Sequence, residues 1–244
     1  MSIVLIGDSI LDNFYWLKNP NDDLTAQLQK LKYKTYNFAV DESKLYDVIF
    51  GIQPQKEYIN ARKYPYPTDE KNIVYPLSLL KEIKHDLCVI SVGGNDLREH
   101  LNIINLFDVN KFINYVFNEE YVKNYNFLIK NVKLLSNRVI LICLYFPYIG
   151  PGSKYIDLKN VKEELTKKVR NFYFRLGKKY NIPVLDLSRT FDPLKKKYYG
   201  LTEIEPSNFS SKCISYCIDY IFRNYDGYKI YFAPKCNINN LVVK

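Results

Sequence analysis

Short apolar runs alternate along this chain with longer segments of helical period, the pattern of a parallel sheet covered by helices. Ile3–Ile6 opens it as a first strand and Lys34–Val40 reads as a second. Leu87–Val92 is apolar almost throughout, which suits a third strand buried on both faces. Val139–Leu144 and Pro183–Leu187 supply a fourth and a fifth. Between them, spacing predicts helices over Asp22–Leu31, about Val109–Ser136, Leu158–Tyr180, and Ser207 to about Phe222. The first would be capped by Asn21 or Asp22 and would bury Leu24, Leu28 and Leu31. Ile52–Tyr75, rich in Pro, Tyr and Lys, predicts a long loop with room for one short helix. No repeat or linker divides the chain, so one domain over residues 1–244 is expected. Residues 226–244 form either a C-terminal extension or, at Tyr228–Phe232, an edge strand.

Charge changes this picture little. The 35 Lys and Arg outweigh the 26 Asp and Glu for a net charge of +9. The basic residues are scattered, however, and the one dense run, Lys195–Lys197, follows Pro193 as a solvated loop would. No nucleic-acid partner is therefore expected. The apolar run from Val139 to Phe146 is far shorter than the roughly 20 residues that span a bilayer. The five cysteines show no C-x-x-C spacing, and no secretory segment is visible, which points to a reduced, cytoplasmic protein. Cys213 and Cys217 lie one helical turn apart and are read as helix packing, so no metal is expected.

Chemistry concentrates where strands end, which is where open parallel sheets place their sites. The first strand runs into Gly7-Asp8-Ser9, the glycine permitting a sharp exit that leaves Ser9 at the sheet's rim. On this segment alone Ser9 serves equally well as a helix N-cap. The third strand runs into Gly93-Gly94-Asn95-Asp96, whose glycines let backbone approach a ligand and whose asparagine amide can donate to an oxyanion. The segment Thr202-Glu203-Ile204-Glu205-Pro206-Ser207 precedes the last helix. Tyr145-Phe146-Pro147-Tyr148, after the fourth strand, would line a pocket or pack on a helix.

These segments together resemble the SGNH (GDSL) hydrolases, in the right order over nearly the whole chain. Gly7-Asp8-Ser9 is similar to the family's first block, Asn37–Glu42 to its second, Gly93–Asp96 to its third, and Glu205-Pro206-Ser207 to its last. The resemblance implies a flavodoxin-like three-layer α/β/α sandwich on a five-stranded parallel sheet. It also implies hydrolysis of acyl or acetyl esters of small molecules, glycans or lipids, with no cofactor. Ser9 would be the nucleophile, and its own N–H and the Asn95 side chain would hold the oxyanion. Asp8 would fix the turn, with Gly94 lining the site.

The sequence departs from the family in two places. Glu42 stands where the second block has the glycine whose N–H joins the oxyanion hole, a position that demands unusual backbone dihedrals. The last block lacks its Asp and His, and reads Thr202 and Glu205 instead, as in a subgroup with an I-E-P-S motif. Of the two histidines, His85 precedes the third strand and so falls about six residues, at ~3.3 Å each, from the rim. His100 reaches the site only if the chain after Asn95 turns back. Glu205 is the other candidate base, although a carboxyl has about 3 kcal/mol less proton affinity than imidazole. The expectation is a serine ester hydrolase with an atypical base. The alternative is an inactive member of the fold that binds a glycan, lipid or protein in the same cleft.

Overall fold

A computed structural model describes residues 1–57, 66–101, 104 and 108–244. Its centre is a sheet of seven strands: β1 (Ser2–Gly7), β2 (Lys34–Asn37), β3 (Leu87–Ser91), β4 (Val139–Cys143), β5 (Val184–Asp186), β6 (Ile230–Phe232) and β7 (Val242–Val243). The order is β2-β1-β3-β4-β5-β6-β7, parallel from β2 through β6, with β7 antiparallel at the edge. β1, β3 and β4 are buried over nearly their whole lengths, because helices cover both of their faces.

The helices are α1 (Leu24–Lys30), α2 (Leu45–Phe50), α3 (Pro76–Leu79), α4 (Gly94–Glu99), α5 (Val109–Val116), α6 (Glu119–Leu135), α7 (Lys162–Tyr180), α8 (Leu187–Thr190) and α9 (Asn208–Arg223). α1 packs with α9 in one layer; α2, α3, α5, α6 and α7 pack among themselves in the other. The result is a mixed α/β fold with a three-layer α/β/α arrangement. Among the described residues no helix is long and apolar enough to cross a membrane. Cys213 and Cys217 are buried in the core on α9.

The sheet corrects the expected count of five strands. Tyr228–Phe232 contributes β6, which pairs with β5 (Val184 opposite Ile230), and β7 closes the edge with Tyr231 opposite Val243. Residues 226–244 are thus part of the sheet, with Tyr231 and Ala233 in the core. The predicted Val109–Ser136 helix is broken at Phe117, where Asn118 caps α6 by accepting the Tyr121 N–H at 2.9 Å. Asp23, rather than Asn21 or Asp22, caps α1. Within the Ile52–Tyr75 stretch, Ile52 and Val74 form an antiparallel bridge; residues 58–65 lie outside the described residues.

Because Tyr231 is almost wholly buried between sheet and α9, Tyr231→Ala should lower the unfolding free energy by about 3 kcal/mol. Urea denaturation checks this. A loss below about 1 kcal/mol would mean that the tail is a dispensable appendage.

Candidate functional site

The strand order reverses between β1 and β3, and the site forms at the carboxyl ends of these two strands. Gly7 pairs with Ser91 at φ +143°, and a Cβ at Gly7 would lie 1.7 Å from the Ser91 carbonyl oxygen. Only glycine lets the strands stay this close. The Asp8 N–H then donates to that same Ser91 oxygen at 2.9 Å, and Leu11 and Asp12 N–H close a turn on the Asp8 carbonyl. Asp8 braces the turn from inside, accepting the Ile10 N–H and the Ser91 hydroxyl, each at 3.2 Å. Ser9 emerges from this turn with its hydroxyl donating to Glu205 Oε1 at 3.4 Å.

Glu205 reaches Ser9 from the far end of the chain. The segment Tyr199–Pro206 folds back on itself, with the Gly200 N–H on the Glu205 carbonyl, and it docks on the Trp16 carbonyl through the Leu201 N–H. A Cβ at Gly200 would lie 2.4 Å from that Trp16 oxygen, so this docking too leaves no room for a side chain. Thr202 fixes the carboxyl: its hydroxyl oxygen accepts the Ile204 and Glu205 N–H groups, and its O–H donates to Glu205 Oε2. A chain of Ser9, Glu205 and Thr202 therefore runs through hydrogen bonds. Burial pushes the Glu205 carboxyl up, while its own N–H, Arg98, the Ser9 hydroxyl and Lys154 pull it down.

Asn95 lies in the first turn of α4, after Gly93 at φ +117°. The hydroxyls of Tyr125 and Tyr173 hold the preceding Val92 carbonyl at 3.2 and 2.6 Å. One Asn95 amide hydrogen goes to the Ser43 carbonyl at 3.0 Å, leaving the second for a ligand. Glu42 adopts φ +65°, so a side-chain-bearing residue takes the left-handed conformation that suits glycine. Its N–H donates to the neighbouring Asp41 carboxylate at 2.9 Å, and its side chain faces outward to Gln55.

His100 is placed elsewhere. It caps α4, half exposed, with its ring edge against Tyr115 and its Nε2 3.9 Å from Glu99, outside the cavity wall. The chain after Asn95 continues as helix rather than turning back, so the condition on which His100 would reach the site is not met. His85 sits at the opposite end of β3, between the Ile83 carbonyl and the Ser136 hydroxyl.

A cavity of about 100 Å³ opens beside Ser9. Asp8, Ser9, Gly94 and Asn95 form its polar end; Leu144, Tyr145, Phe146, Leu165 and Val169 make much of its apolar wall. Tyr145–Pro147 thus line a pocket, the first of the two readings left open for that stretch.

Sequence reasoning missed two features. Arg98 lies on the cavity wall, legible in principle because it is one helical turn from Asn95. A group of buried acids also stands behind the site. Asp41 accepts the Trp16 indole N–H at 2.8 Å, while Asp12 accepts the Asp41 N–H at 3.2 Å and the Tyr66 hydroxyl. Burial, then the charges of Glu205 and Asp12, push Asp41 up to about 8. Burial similarly pushes Asp8 up to about 7 and Asp96 up to about 6. No local pattern announces contacts made across the chain.

Residues 3–228 match the family model for GDSL-like lipases and acylhydrolases. No curated protein matches the chain. Among solved structures it is similar to an acetyl xylan esterase at 16% identity and TM-score 0.53, over 93% of this chain and 100% of that one. A lipase from a goat rumen metagenome is similar at 18% identity and TM-score 0.57, over 88% and 94%. An aryl esterase of M. smegmatis is similar at 14% and 0.55, over 91% and 98%. At such identities these likenesses show the fold.

The raised acids fix the direction of a pH effect. Asp8, Asp41 and Asp96 hold protons in the folded state that the unfolded chain releases near pH 4, so folding binds more protons than unfolding. Their stabilising contribution is complete below about pH 4 and is lost as pH rises through about 6, 7 and 8. The melting temperature should therefore fall by at least ~5 °C between pH 5 and 8.5 (a range chosen for the test), at about 2–4 °C per kcal/mol. Calorimetry that found it rising over that range would contradict these protonation states.

Proposed function

Because the chain belongs to the GDSL-like lipase/acylhydrolase family, and so to the ester hydrolases, we propose that Ser9 is its nucleophile and Glu205 the base that activates it. The observation that carries this reading is the buried Ser9–Glu205 hydrogen bond, with Thr202 seated on the second carboxylate oxygen. It supports a hydrolase over a cleft that only binds. A base poised on the nucleophile and oriented by a third group is the arrangement that nucleophilic catalysis requires.

In this scheme the Ser9 proton passes to Glu205 Oε1 as Ser9 Oγ bonds the acyl carbon. The second Asn95 amide hydrogen and the Ser9 N–H receive the charge that develops on the carbonyl oxygen. The Glu42 N–H is already committed to Asp41, so the oxyanion site rests on two donors. Glu205 then returns its proton to the departing alkoxide, later takes one from the water that attacks the acyl-enzyme, and passes it to Ser9 Oγ as the acyl–oxygen bond breaks. Burial raises the Glu205 carboxyl and recovers part of the basicity a carboxylate lacks beside imidazole. The apolar wall from Leu144 to Val169 receives the acyl group, and the substrate is a small-molecule, glycan or lipid ester.

Ser9→Ala should reduce p-nitrophenyl acetate hydrolysis to the buffer rate, and Glu205→Gln should reduce kcat by about 10²–10⁴-fold. Turnover in the wild type should rise with pH to a plateau, because only ionised Glu205 accepts the proton. The inflection should lie above the ordinary glutamate range. Equal rates for Ser9→Ala and wild type would end the proposal.

A further inference from the structure

We infer that Arg98 makes this a site for acidic esters, in which the acyl or the alcohol part ends in a carboxylate. The inference rests on the hydrolase reading above and adds the substrate's charge to it.

α4 turns one face to the cavity: Gly94, Leu97 and Arg98, continued by Leu101, follow i, i+3, i+4 and i+7 spacing. The other three are glycine or leucine, and the facing wall from Leu144, Phe146, Leu165 and Val169 is apolar too. A guanidinium on such a wall is an anion receptor by its chemistry, since its planar fork matches a carboxylate in two parallel hydrogen bonds. Among the described residues its ion-pair partner is Glu42 Oε1, at 3.9 Å, well beyond the ~2.7–2.9 Å of a charge-assisted hydrogen bond. Both side chains are also more than a third exposed, where such a pair contributes about 0–1 kcal/mol. Glu42 meanwhile accepts a hydrogen bond from Gln55 on its other oxygen. A substrate carboxylate can therefore take the Arg98 fork without breaking a strong contact.

A second cation stands near the same place. Lys154, exposed on the segment between Pro147 and α7, joins Arg98 in pulling the Glu205 carboxyl down. Its ammonium lies over the ring of Tyr155, itself part of the cavity wall, so an acidic ester entering the apolar slot meets positive charge from Arg98 with Lys154 beyond it. The aliphatic stem of arginine can also simply cover apolar wall. The two roles differ in what they do to ligand charge.

Binding to Ser9→Ala protein separates them without requiring turnover. The probes are ethyl hexanoate, monoethyl adipate with a carboxylate at the acyl end, and O-hexanoyl glycolate with one on the alcohol side. Titration calorimetry should show one of the acidic esters binding at least about tenfold tighter than ethyl hexanoate, and which one wins identifies the side that Arg98 reads. The advantage should shrink with added salt, disappear in Ser9→Ala/Arg98→Gln, and survive in part in Ser9→Ala/Arg98→Lys. Both acidic esters bound no tighter than the neutral one, or an advantage that persists in Arg98→Gln, would overturn the inference. Loss of turnover in the wild type would instead count against Ser9 and Glu205.

Discussion

The site depends on how closely β1 and β3 approach each other at their carboxyl ends. With Gly7 opposite Ser91 there is no room for a side chain, and the Ser91 carbonyl takes the Asp8 N–H. That contact forces the chain to leave β1 in a tight turn, which sets Ser9 at the rim. It also brings Gly94 and Asn95, just past the end of β3, to the same cavity wall. Two segments more than 80 residues apart in sequence thus become one polar surface because of a missing Cβ.

The third participant arrives by a different route. Glu205 belongs to no strand, and is held by the fold-back of Tyr199–Pro206 onto Trp16, where Gly200 again allows backbone to meet backbone. Trp16 also donates to Asp41, so one residue ties the Glu205 segment to the turn that carries Glu42 and Ser43. The arrangement concentrates buried carboxyls around the serine. Their mutual repulsion and poor solvation are a cost to folding, met by keeping protons on some of them. For Glu205 itself, burial is what raises the carboxyl.

Much of this was legible in the sequence. β1, β3 and β4 announce themselves because a strand buried on both faces must be apolar along its length. Gly7-Asp8-Ser9 and Gly93-Gly94-Asn95 are legible because backbone close approach admits only glycine. The sixth strand showed only as the weak alternation of Tyr228–Phe232, one of two readings of the tail, and the two residues of β7 carry no periodicity at all. The break at Phe117 was hidden by an apolar period that continues across it, although Asn118 gave a capping signal. Glu205 and Thr202 could be named from their order in the chain, but Trp16 and Asp41 meet that segment only through long-range folding. His100 depended on the chain turning back after Asn95; it runs on as α4 instead and leaves the ring against Tyr115.

The central claim is that a carboxylate, and no histidine, activates Ser9. Covalent capture tests it most directly: the rate at which a fluorophosphonate labels the protein, followed by mass spectrometry across pH, in wild type and in a His85→Gln/His100→Gln variant. A single adduct on Ser9, formed at matching rates and with the same pH dependence in both proteins, is the predicted result. Labelling that vanishes when the histidines are removed, or that falls on another residue, would contradict it.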